Sequence, residues 1–280
     1  MITLRDACCS YRKNEAALRD ISCELHAGIH LLMGANGAGK TTLMHLMAGL
    51  RYPSSGECLL DGRNLRLRLP SQLEKIQYFS PEMDFPEATV EKMVERHGPF
   101  FPRFDPDLLA RILEIFGISA RSRLASMSYG SAVKARIAYM LALKCDVLLL
   151  DEPTAGLDVV GREQFGRVLM EAVDESQTVV VSTHALDEFN PIYDSVMFMR
   201  DGRLLLHTTL ETIARRVAFV VAPGVPSDVI YWERVMGRCH CIVPALDTTL
   251  ETTPDCALLY KALSSPSSRQ LLDILKDSRS

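Results

Sequence analysis

The chain has 280 residues, 48% of them hydrophobic, and a formal net charge of −4 at pH 7. This length accommodates one large α/β domain and a smaller appendage. The mild acidity argues against a surface that coats nucleic acid, which is usually basic, so no nucleic-acid partner is expected. No apolar run approaches the ~20 residues that cross a bilayer, and Arg5 and Asp6 interrupt any leader peptide. We therefore expect a soluble, cytoplasmic protein.

The first part of the chain predicts three strands, a glycine-rich loop and a helix. Short β-like patterns cover Ile2 to Ala7 and Leu18 to Leu25, and a buried strand is predicted from Ile29 to Met33. The loop from Gly34 to Thr42 follows directly, and a helix is predicted from Leu43 to Leu50. A strand, such a loop and a helix in this order are typical of a phosphate-binding loop.

The loop satisfies the pattern of glycine, four residues, glycine, lysine, then serine or threonine. Its glycines let backbone N–H groups approach phosphate closely, and the helix N-terminus adds the positive end of its dipole. Lys40 can reach the outer phosphates of a nucleotide, and the Thr41 hydroxyl can ligate Mg²⁺. The predicted nucleotide-binding residues of the loop are Asn36, Gly37, Ala38, Gly39, Lys40, Thr41 and Thr42.

The middle of the chain, from about residue 82 to residue 126, is interrupted repeatedly by proline. Helices are predicted from Val90 to His97, from Pro106 to Phe116 and then from Ser128 to Leu143. Four phenylalanines of this segment either form a surface for a partner or pack inward, and the pattern leaves both open. They are Phe85, Phe100, Phe101 and Phe104.

Two further apolar strands each end in polar residues. The strand Val147 to Asp151 ends in an acid, which beside a phosphate loop is a position for Mg²⁺. Glu152 follows and is placed to orient or deprotonate a water molecule. The strand Thr178 to Ser182 leads to His184, which could touch a γ-phosphate. Each residue alone has an ordinary structural alternative, but together and in this order they predict nucleotide hydrolysis.

Beyond about Arg216 the patterns weaken, and no motif there assigns a role. Three strands and two helices are predicted in this part. The strands are Val217 to Ala222, Val229 to Val235 and Cys239 to Val243, and the helices are Cys256 to Ser264 and Ser267 to Lys276.

With these motifs in this order, the chain resembles the ATPase subunits of ABC transporters over about residues 1 to 215. Gly34 to Thr42 is similar to the family's Walker A motif, and Leu148 to Asp151 with Glu152 is similar to Walker B and its catalytic glutamate. Gly156-Leu157-Asp158 resembles the D-loop, and His184 resembles the switch histidine. Tyr11 lies where the family has an aromatic that stacks on adenine, although an ordinary strand-end tyrosine is the alternative.

Two motifs depart from the family. The signature Leu-Ser-Gly-Gly-Gln corresponds here to Met127-Ser128-Tyr129-Gly130-Ser131, which keeps Ser128 and Gly130 for a γ-phosphate but has Tyr129 at its third position. The family has a glutamine, that of the Q-loop, shortly after the strand that corresponds to Ile76 to Phe79, whereas this sequence has Ser80-Pro81-Glu82 there. Glu82 could ligate Mg²⁺ or its water, but it adds negative charge near the phosphates.

The resemblance implies an α/β fold. We expect a P-loop NTPase core with a mixed sheet, an N-terminal antiparallel β subdomain, a helical subdomain at about residues 82–143 and a small C-terminal α+β appendage. Residues 1–215 would form the ABC-type ATP-binding domain and residues 216–280 the appendage. ATP and Mg²⁺ are the implied cofactors.

The resemblance also implies partners. Two subunits, most simply a homodimer, would bind two ATP molecules head to tail, so that Ser128 and Gly130 meet the γ-phosphate of the partner. An integral membrane permease would hold the pair at the inner face of the cell membrane. The segment from Ser80 to Val94 and the stretch from Phe100 to Asp105 resemble ATPases of bacterial exporters with a separate permease.

Two other functions stay open from the sequence. One is a soluble ABC-type ATPase acting in DNA repair, translation or cofactor assembly, although one cassette is present here and no zinc or coiled-coil insertion is visible. The other is a nucleotide-binding regulator that hardly hydrolyses ATP. Glu152 argues against this last function, because a candidate general base is present.

Overall fold

A computed structural model describes residues 1–12, 15–83, 88–184, 186, 192–245 and 252–276 of the chain. Within these residues the strands form a central sheet and two antiparallel sheets, one near each terminus. Helices pack around the central sheet, and one large apolar cluster spans the sheet, the helical middle of the chain and the C-terminal part. A second cluster joins the sheet to the N-terminal strands.

The central sheet has the strand order β10-β9-β3-β8-β7-β6. Its strands are β3 (Gly28–Gly34), β6 (Ile76–Phe79), β7 (Val147–Asp151), β8 (Thr178–Ser182), β9 (Ser195–Arg200) and β10 (Arg203–Thr209). Only β10 runs antiparallel to its described neighbour, so the sheet is mixed. All residues of β7 and β8 are buried, as expected for apolar parallel strands that are covered on both faces. The carboxyl ends of the parallel strands therefore meet at one edge of the sheet.

The N-terminal sheet is antiparallel, with the order β2-β1-β4-β5. Its strands are β1 (Ile2–Arg12), β2 (Glu15–Leu25), β4 (Ser55–Leu60) and β5 (Arg63–Asn64). Ile2, Leu4 and Leu18 are fully or almost fully buried in the cluster that this sheet shares with the helix after the phosphate loop. The sheet is thus attached directly to the nucleotide-binding part of the molecule.

The helices surround these sheets. They are α1 (Lys40–Met47), α2 (Pro70–Leu73), α3 (Val90–His97), α4 (Pro106–Ile115), α5 (Tyr129–Ala142), α6 (Val159–Ala172), α7 (Leu210–Arg216), α8 (Cys256–Ser264) and α9 (Ser268–Lys276). The start of α4 shows how such a helix begins: the Asp105 carboxylate accepts from the Leu108 N–H at 2.8 Å, and Pro106 occupies the first turn. The helices α3, α4 and α5 lie between β6 and β7 in the chain.

The C-terminal part combines a small sheet with two helices. The order of this sheet is β11-β13-β12, with β11 (Val217–Ala222), β12 (Tyr231–Val235) and β13 (Arg238–Pro244). It belongs to the same apolar cluster as the central sheet, and the rings of Phe198 on β9 and Tyr260 on α8 meet edge to face at 6.1 Å. This part is therefore packed onto β9 and β10.

The predicted α/β architecture is confirmed, including the mixed sheet, the N-terminal antiparallel sheet and the α+β C-terminal part. The sequence patterns missed β10 and α7, which lie between β9 and β11 in the chain. Of the four phenylalanines, Phe100 is exposed, whereas Phe101 and Phe104 pack against the large cluster. Phe85 lies outside the described residues. No helix among the residues that the structure describes is both long and apolar enough to span a membrane.

Candidate functional site

The phosphate-binding loop runs from the end of β3 to the start of α1 and needs its glycines. Gly37 and Gly39 have φ angles of 79° and 102°, in the left-handed region that favours glycine. A Cβ on Gly39 would lie 2.8 Å from the carbonyl oxygen of Ala17, so a larger residue does not fit there. A residue from another part of the chain also stabilises the loop, since the Gly202 N–H donates to the carbonyl of Ala38 at 3.1 Å.

Lys40 is buried at the centre of this loop. Its side chain is 7% exposed, and Nζ donates to the carbonyl oxygens of Gly34 at 2.8 Å and Ala35 at 3.4 Å. Burial lowers the pKa of Lys40 below its usual range, and the carboxylates of Glu152 and Asp151 act in the opposite direction. A largely desolvated ammonium bound to neutral carbonyls is well suited to hold phosphate oxygens.

Asp151 ends β7 with both carboxylate oxygens bonded. The Ser182 hydroxyl donates to Oδ1 at 2.5 Å, and the Tyr78 hydroxyl donates to Oδ2 at 3.1 Å. Burial, followed by the charge of Asp151, raises the pKa of Tyr78 above its usual range, so the phenol stays protonated as a donor. The sequence reasoning missed both donors. For Ser182 a signal existed, because it ends the neighbouring apolar strand and lies opposite Asp151 in the register.

Glu152 and His184 lie side by side after β7 and β8. His184 Nε2 is 3.1 Å from Glu152 Oε1, and the His184 N–H donates to Glu152 Oε2 at 3.3 Å. Glu152 has a φ of 50°, an uncommon backbone angle for glutamate, and its N–H donates to Ser182. The pair predicted from the sequence is therefore brought together in this structure.

One cleft of about 380 Å³ collects most of the predicted nucleotide-binding and catalytic residues. Its described lining includes Tyr11, Asn36, Gly37, Gly39, Lys40, Thr41, Thr42, Asp151, Glu152 and His184. Ala38 is buried behind the loop and does not line this cleft. The carboxyl ends of β3, β7 and β8 thus converge where an α/β sheet usually binds its ligand.

Tyr11 borders the cleft and is anchored to the loop. Its hydroxyl shares a 2.8 Å hydrogen bond with the Thr42 hydroxyl, and the Arg51 guanidinium carbon lies 4.1 Å from the centre of its ring. Tyr11 is 52% exposed, so part of the ring stays accessible. Its position in the cleft is compatible with the predicted stacking on a base.

Glu82 lines a neighbouring cleft of about 530 Å³ that shares Thr41, Asp151 and Glu152 with the first. Glu82 is exposed, and the segment before it is held by Arg136, which donates to the carbonyl of Pro81 at 2.8 Å. The replacement for the Q-loop glutamine therefore lies beside the predicted metal site.

The signature serine lies elsewhere. Ser128 caps α5, where its hydroxyl accepts from the Ser131 N–H at 3.2 Å and donates to the Ser131 hydroxyl at 2.9 Å. Among the described residues that line the two clefts, neither Ser128 nor Gly130 occurs, whereas Tyr129 lines the second. Within one chain, the signature serine and glycine are not brought to the phosphate-binding loop.

The residues fit Mg²⁺. The Thr41 hydroxyl and the Asp151 carboxylate line both clefts, and oxygen atoms of this kind are the ligands that Mg²⁺ prefers. Asp151 is only 6% exposed, so its charge is weakly screened by water.

The comparisons with known proteins agree with this geometry. Residues 18–155 match the family model described as ABC transporter. The chain is 30% identical over 234 residues to the ribose import ATP-binding protein RbsA 2 of Rhizobium etli, covering 79% of this chain and 44% of that protein. It is also 30% identical over 257 residues to the energy-coupling factor transporter ATP-binding protein EcfA2 of Geobacillus kaustophilus, covering 85% and 88%.

A solved structure shares the fold. It is a dimeric ATP-binding cassette in a post-hydrolysis state bound to ADP and Pi, with a TM-score of 0.64, 22% identity and coverage of 75% of this chain and 99% of that one. The chain spans about half the length of several curated relatives that it matches, between 40% and 48% for three of them. With 88% of EcfA2 covered at 30% identity, the chain belongs to the ATP-binding proteins of ABC transporters, a family of ATPases.

Proposed function

We propose that this chain binds and hydrolyses ATP to power a separate integral membrane permease, at whose cytoplasmic side it is held. The observation that carries the proposal is the single cleft that joins Lys40, Thr41 and Asp151 with Glu152 and His184. A buried ammonium, an oxygen-donor pair and a carboxylate beside an imidazole are the parts that phosphoryl transfer to water requires.

Each of these residues has a role in the proposed reaction. Lys40 binds the outer phosphates, and Mg²⁺, held by Thr41 and through Asp151, would neutralise charge on the phosphate oxygens. Glu152 orients the attacking water and accepts its proton. His184, 3.1 Å from that carboxylate, holds Glu152 in place and lies where it can contact the γ-phosphate. Tyr11 would stack on the adenine, and Glu82 would contact Mg²⁺ or its water.

The working unit would be a head-to-tail homodimer. Ser128 and Gly130 open a helix away from the phosphate-binding cleft of their own chain, so they would meet a γ-phosphate only across a two-fold interface. The hydroxyl and the N–H groups at the start of α5 suit an anion. A solved cassette with the same fold is described as dimeric, which supports pairing of two subunits.

Mixed dimers test the shared site. Ser128→Arg subunits combined with Lys40→Ala subunits should form heterodimers with one intact composite site, because each mutation disables a different half. Activity of the mixture should rise above that of either variant alone and follow the heterodimer fraction. Ser126→Arg, outside the signature, is the matched control for the added charge. Activity that follows only the amount of each single variant would contradict the shared site.

The direction of transport is the finer part of the proposal. We favour export, because the segment from Ser80 to Val94 and the stretch from Phe100 to Asp105 resemble ATPases of exporters with a separate permease. Two relatives are named for import or for energy-coupling factor transport, and both directions use the same ATPase chemistry. Inverted membrane vesicles that contain the permease partner measure the direction. ATP-dependent accumulation of the transported compound would support export, and ATP-dependent release would contradict it.

A further inference from the structure

Tyr129 occupies the third position of the signature, where the family's motif has glycine. The side chain is 54% exposed and lines the same cleft as Thr41, Glu82 and Glu152 of its own chain. Ser128 and Gly130, its neighbours, line neither cleft in the part of the chain that the structure describes. Tyr129 is therefore the signature residue that reaches back toward the catalytic residues of the same subunit.

The ring of Tyr129 packs directly on the backbone of Gly156 in the D-loop. A Cβ placed on Gly156 would lie 2.4 Å from Cε1 and 2.6 Å from Cδ1 of Tyr129, closer than real Cβ contacts occur. Gly130 is also near, since its Cβ would lie 3.2 Å from the carbonyl oxygen of Gly156. The start of α5 and the D-loop therefore meet within one chain, and the tyrosine ring is the largest group in that contact.

The D-loop contact bears on Glu152 because a short turn joins them. The Ala155 N–H donates to the Glu152 carbonyl at 3.0 Å, and the Leu157 N–H donates to the Thr154 carbonyl at 3.1 Å. Glu152 begins this turn with a φ of 50°, in the sparsely populated left-handed region, which persists only where the surroundings hold it. Ser182 holds the first end of the turn, and Tyr129 covers Gly156 at the other end.

We propose that Tyr129 is a positioning residue: its ring clamps the D-loop of its own subunit and so keeps Glu152 in its left-handed conformation beside His184. The kinetic part of this inference rests on the proposed function, whereas the clamp itself does not. The family's motif has glycine at this position, and glycine has no ring to cover Gly156. The tyrosine of this chain therefore adds a contact that the usual signature lacks. This contact lies within one chain, whereas Ser128 and Gly130 are proposed to contact the γ-phosphate that the partner subunit binds.

Amide hydrogen exchange in the nucleotide-free protein tests the clamp. No ATP is then present to bring two subunits together, so the experiment reports on contacts within one chain. In Tyr129→Ala the amides of Ala155 and Leu157 should exchange at least about fivefold faster than in the wild type, because the turn opens more often. Tyr129→Phe keeps the ring and should stay within about twofold of the wild type. Tyr52→Ala, another exposed tyrosine outside the site, is the matched control. Unchanged exchange in Tyr129→Ala would overturn the clamp, as would equally fast exchange in Tyr129→Phe.

Steady-state kinetics test the consequence for Glu152. Tyr129→Ala should lower kcat about tenfold with unchanged ATP affinity, since only the geometry of the base is disturbed. Tyr129→Phe should retain kcat. A kcat that is unchanged in Tyr129→Ala would overturn the positioning role. If the wild type does not hydrolyse ATP, the proposed function fails, while the exchange experiment still decides the clamp.

A double-mutant cycle distinguishes a direct coupling of Tyr129 and Gly156 from a general loss of stability in the Tyr129→Ala variant. Gly156→Ala adds a Cβ that collides with the Tyr129 ring, and its backbone strain at a φ of 78° is the same in both backgrounds. The substitution should therefore accelerate D-loop exchange more in the wild type than in Tyr129→Ala. Additive effects of the two substitutions would show that the ring and Gly156 are not coupled, and would overturn the proposal.

Discussion

Charged side chains gather at both the carboxyl and the amino edge of the central sheet, where the parallel strands end and begin, but their bonding partners differ. At the carboxyl edge, Lys40, Asp151 and Glu152 surround an open cleft, and Lys40 is bonded only to neutral carbonyls among its described hydrogen bonds. At the opposite edge, Arg103 lies 2.6 Å from Asp146 and 3.2 Å from Asp174. The first edge retains charge for a ligand, whereas the second pairs its charges with one another.

The paired edge extends well beyond Arg103. Lys75 contacts Asp61 at 2.9 Å and Asp146 at 3.4 Å, while Lys144 contacts Asp174 at 2.8 Å. Apart from Asp61, which follows β4, these groups precede β6, β7 and β8 in the chain. Because each of these charged groups has an oppositely charged partner, this edge contributes to the stability of the fold. Substitutions at the two edges should therefore separate catalysis from stability.

The largest effect is expected at Glu152. Glu152→Gln should retain ATP binding but lower kcat by about 10²- to 10³-fold, because the amide cannot accept a proton from water. The variant should also accumulate as an ATP-bound dimer on size-exclusion chromatography. Glu163→Gln on the exposed face of α6 is the matched control, expected to behave as the wild type. Near-normal turnover in Glu152→Gln would mean that the base lies elsewhere.

Lys40 should give the next largest effect at the same edge. Lys40→Ala removes a desolvated ammonium and should weaken Mg-ATP binding about 100-fold, measured by titration calorimetry. The melting temperature should not fall in parallel, because burial of an ammonium without a bonded carboxylate is itself unfavourable. Lys92→Ala, at an exposed position of α3, controls for the loss of charge. Tight ATP binding by Lys40→Ala would refute the phosphate-binding role.

Most of this carboxyl edge is predictable from the sequence. The order of strand, glycine-rich loop and helix locates Lys40, and two apolar strands that end in Asp151 and near His184 bring their ends to the same edge once the sheet is parallel. The chemistry here follows directly from motifs that are contiguous in the chain. Which of the predicted residues hold nucleotide stays a prediction.

The other contacts of the site join residues that are distant in the chain, and no repeating pattern in the sequence predicts them. Nothing local connects Tyr78 with Asp151, 73 residues apart, or places the ring of Tyr129 on Gly156. For the strand β10 a signal existed in the apolar run from Leu204 to Leu206, although most of its residues are only half-buried. For α7 a signal existed: the Thr209 hydroxyl accepts from the Thr212 N–H at its start.

At the paired edge, the histidines should make stability depend on pH. Burial, with added effects of His30 and His26, lowers the pKa of His207 to about 4. An unfolded histidine has a pKa of about 6.5, so the unfolded state binds more protons between these two values, and stability falls as pH drops through that window. The loss from His207 between pH 7 and pH 5 should be about 2 kcal/mol.

Urea unfolding at the two pH values measures this loss. His207→Gln should recover most of it, while His240→Gln on β13 serves as the control and should not. His30 should act in the same direction, because burial also lowers its pKa and its Nδ1 lies 2.6 Å from the Ser195 hydroxyl. An equal acid loss in the wild type and His207→Gln would exclude His207 as the source.

The smallest effect is expected from Arg103, and it sharpens the contrast between the edges. Arg103 comes from the segment between α3 and α4 and reaches two carboxylates that precede β7 and β8, so it links the helical middle of the chain to the sheet. Its side chain is 45% exposed, and exposed ion pairs are strongly screened by water. Arg103→Ala should therefore lower the free energy of unfolding by no more than about 1 kcal/mol, with kcat unchanged.

Salt should distinguish this electrostatic loss from lost packing. In about 1 M NaCl the difference between Arg103→Ala and the wild type should shrink, because the screening length falls to about 3 Å. Arg111→Ala is the matched control, since Arg111 is also exposed but, within the described part of the chain, pairs only with Glu171 at 3.7 Å, and the variant should lose less stability. A large loss of kcat in Arg103→Ala at normal stability would show that this edge also serves catalysis. The division between a ligand-binding edge and a stabilising edge would then be wrong.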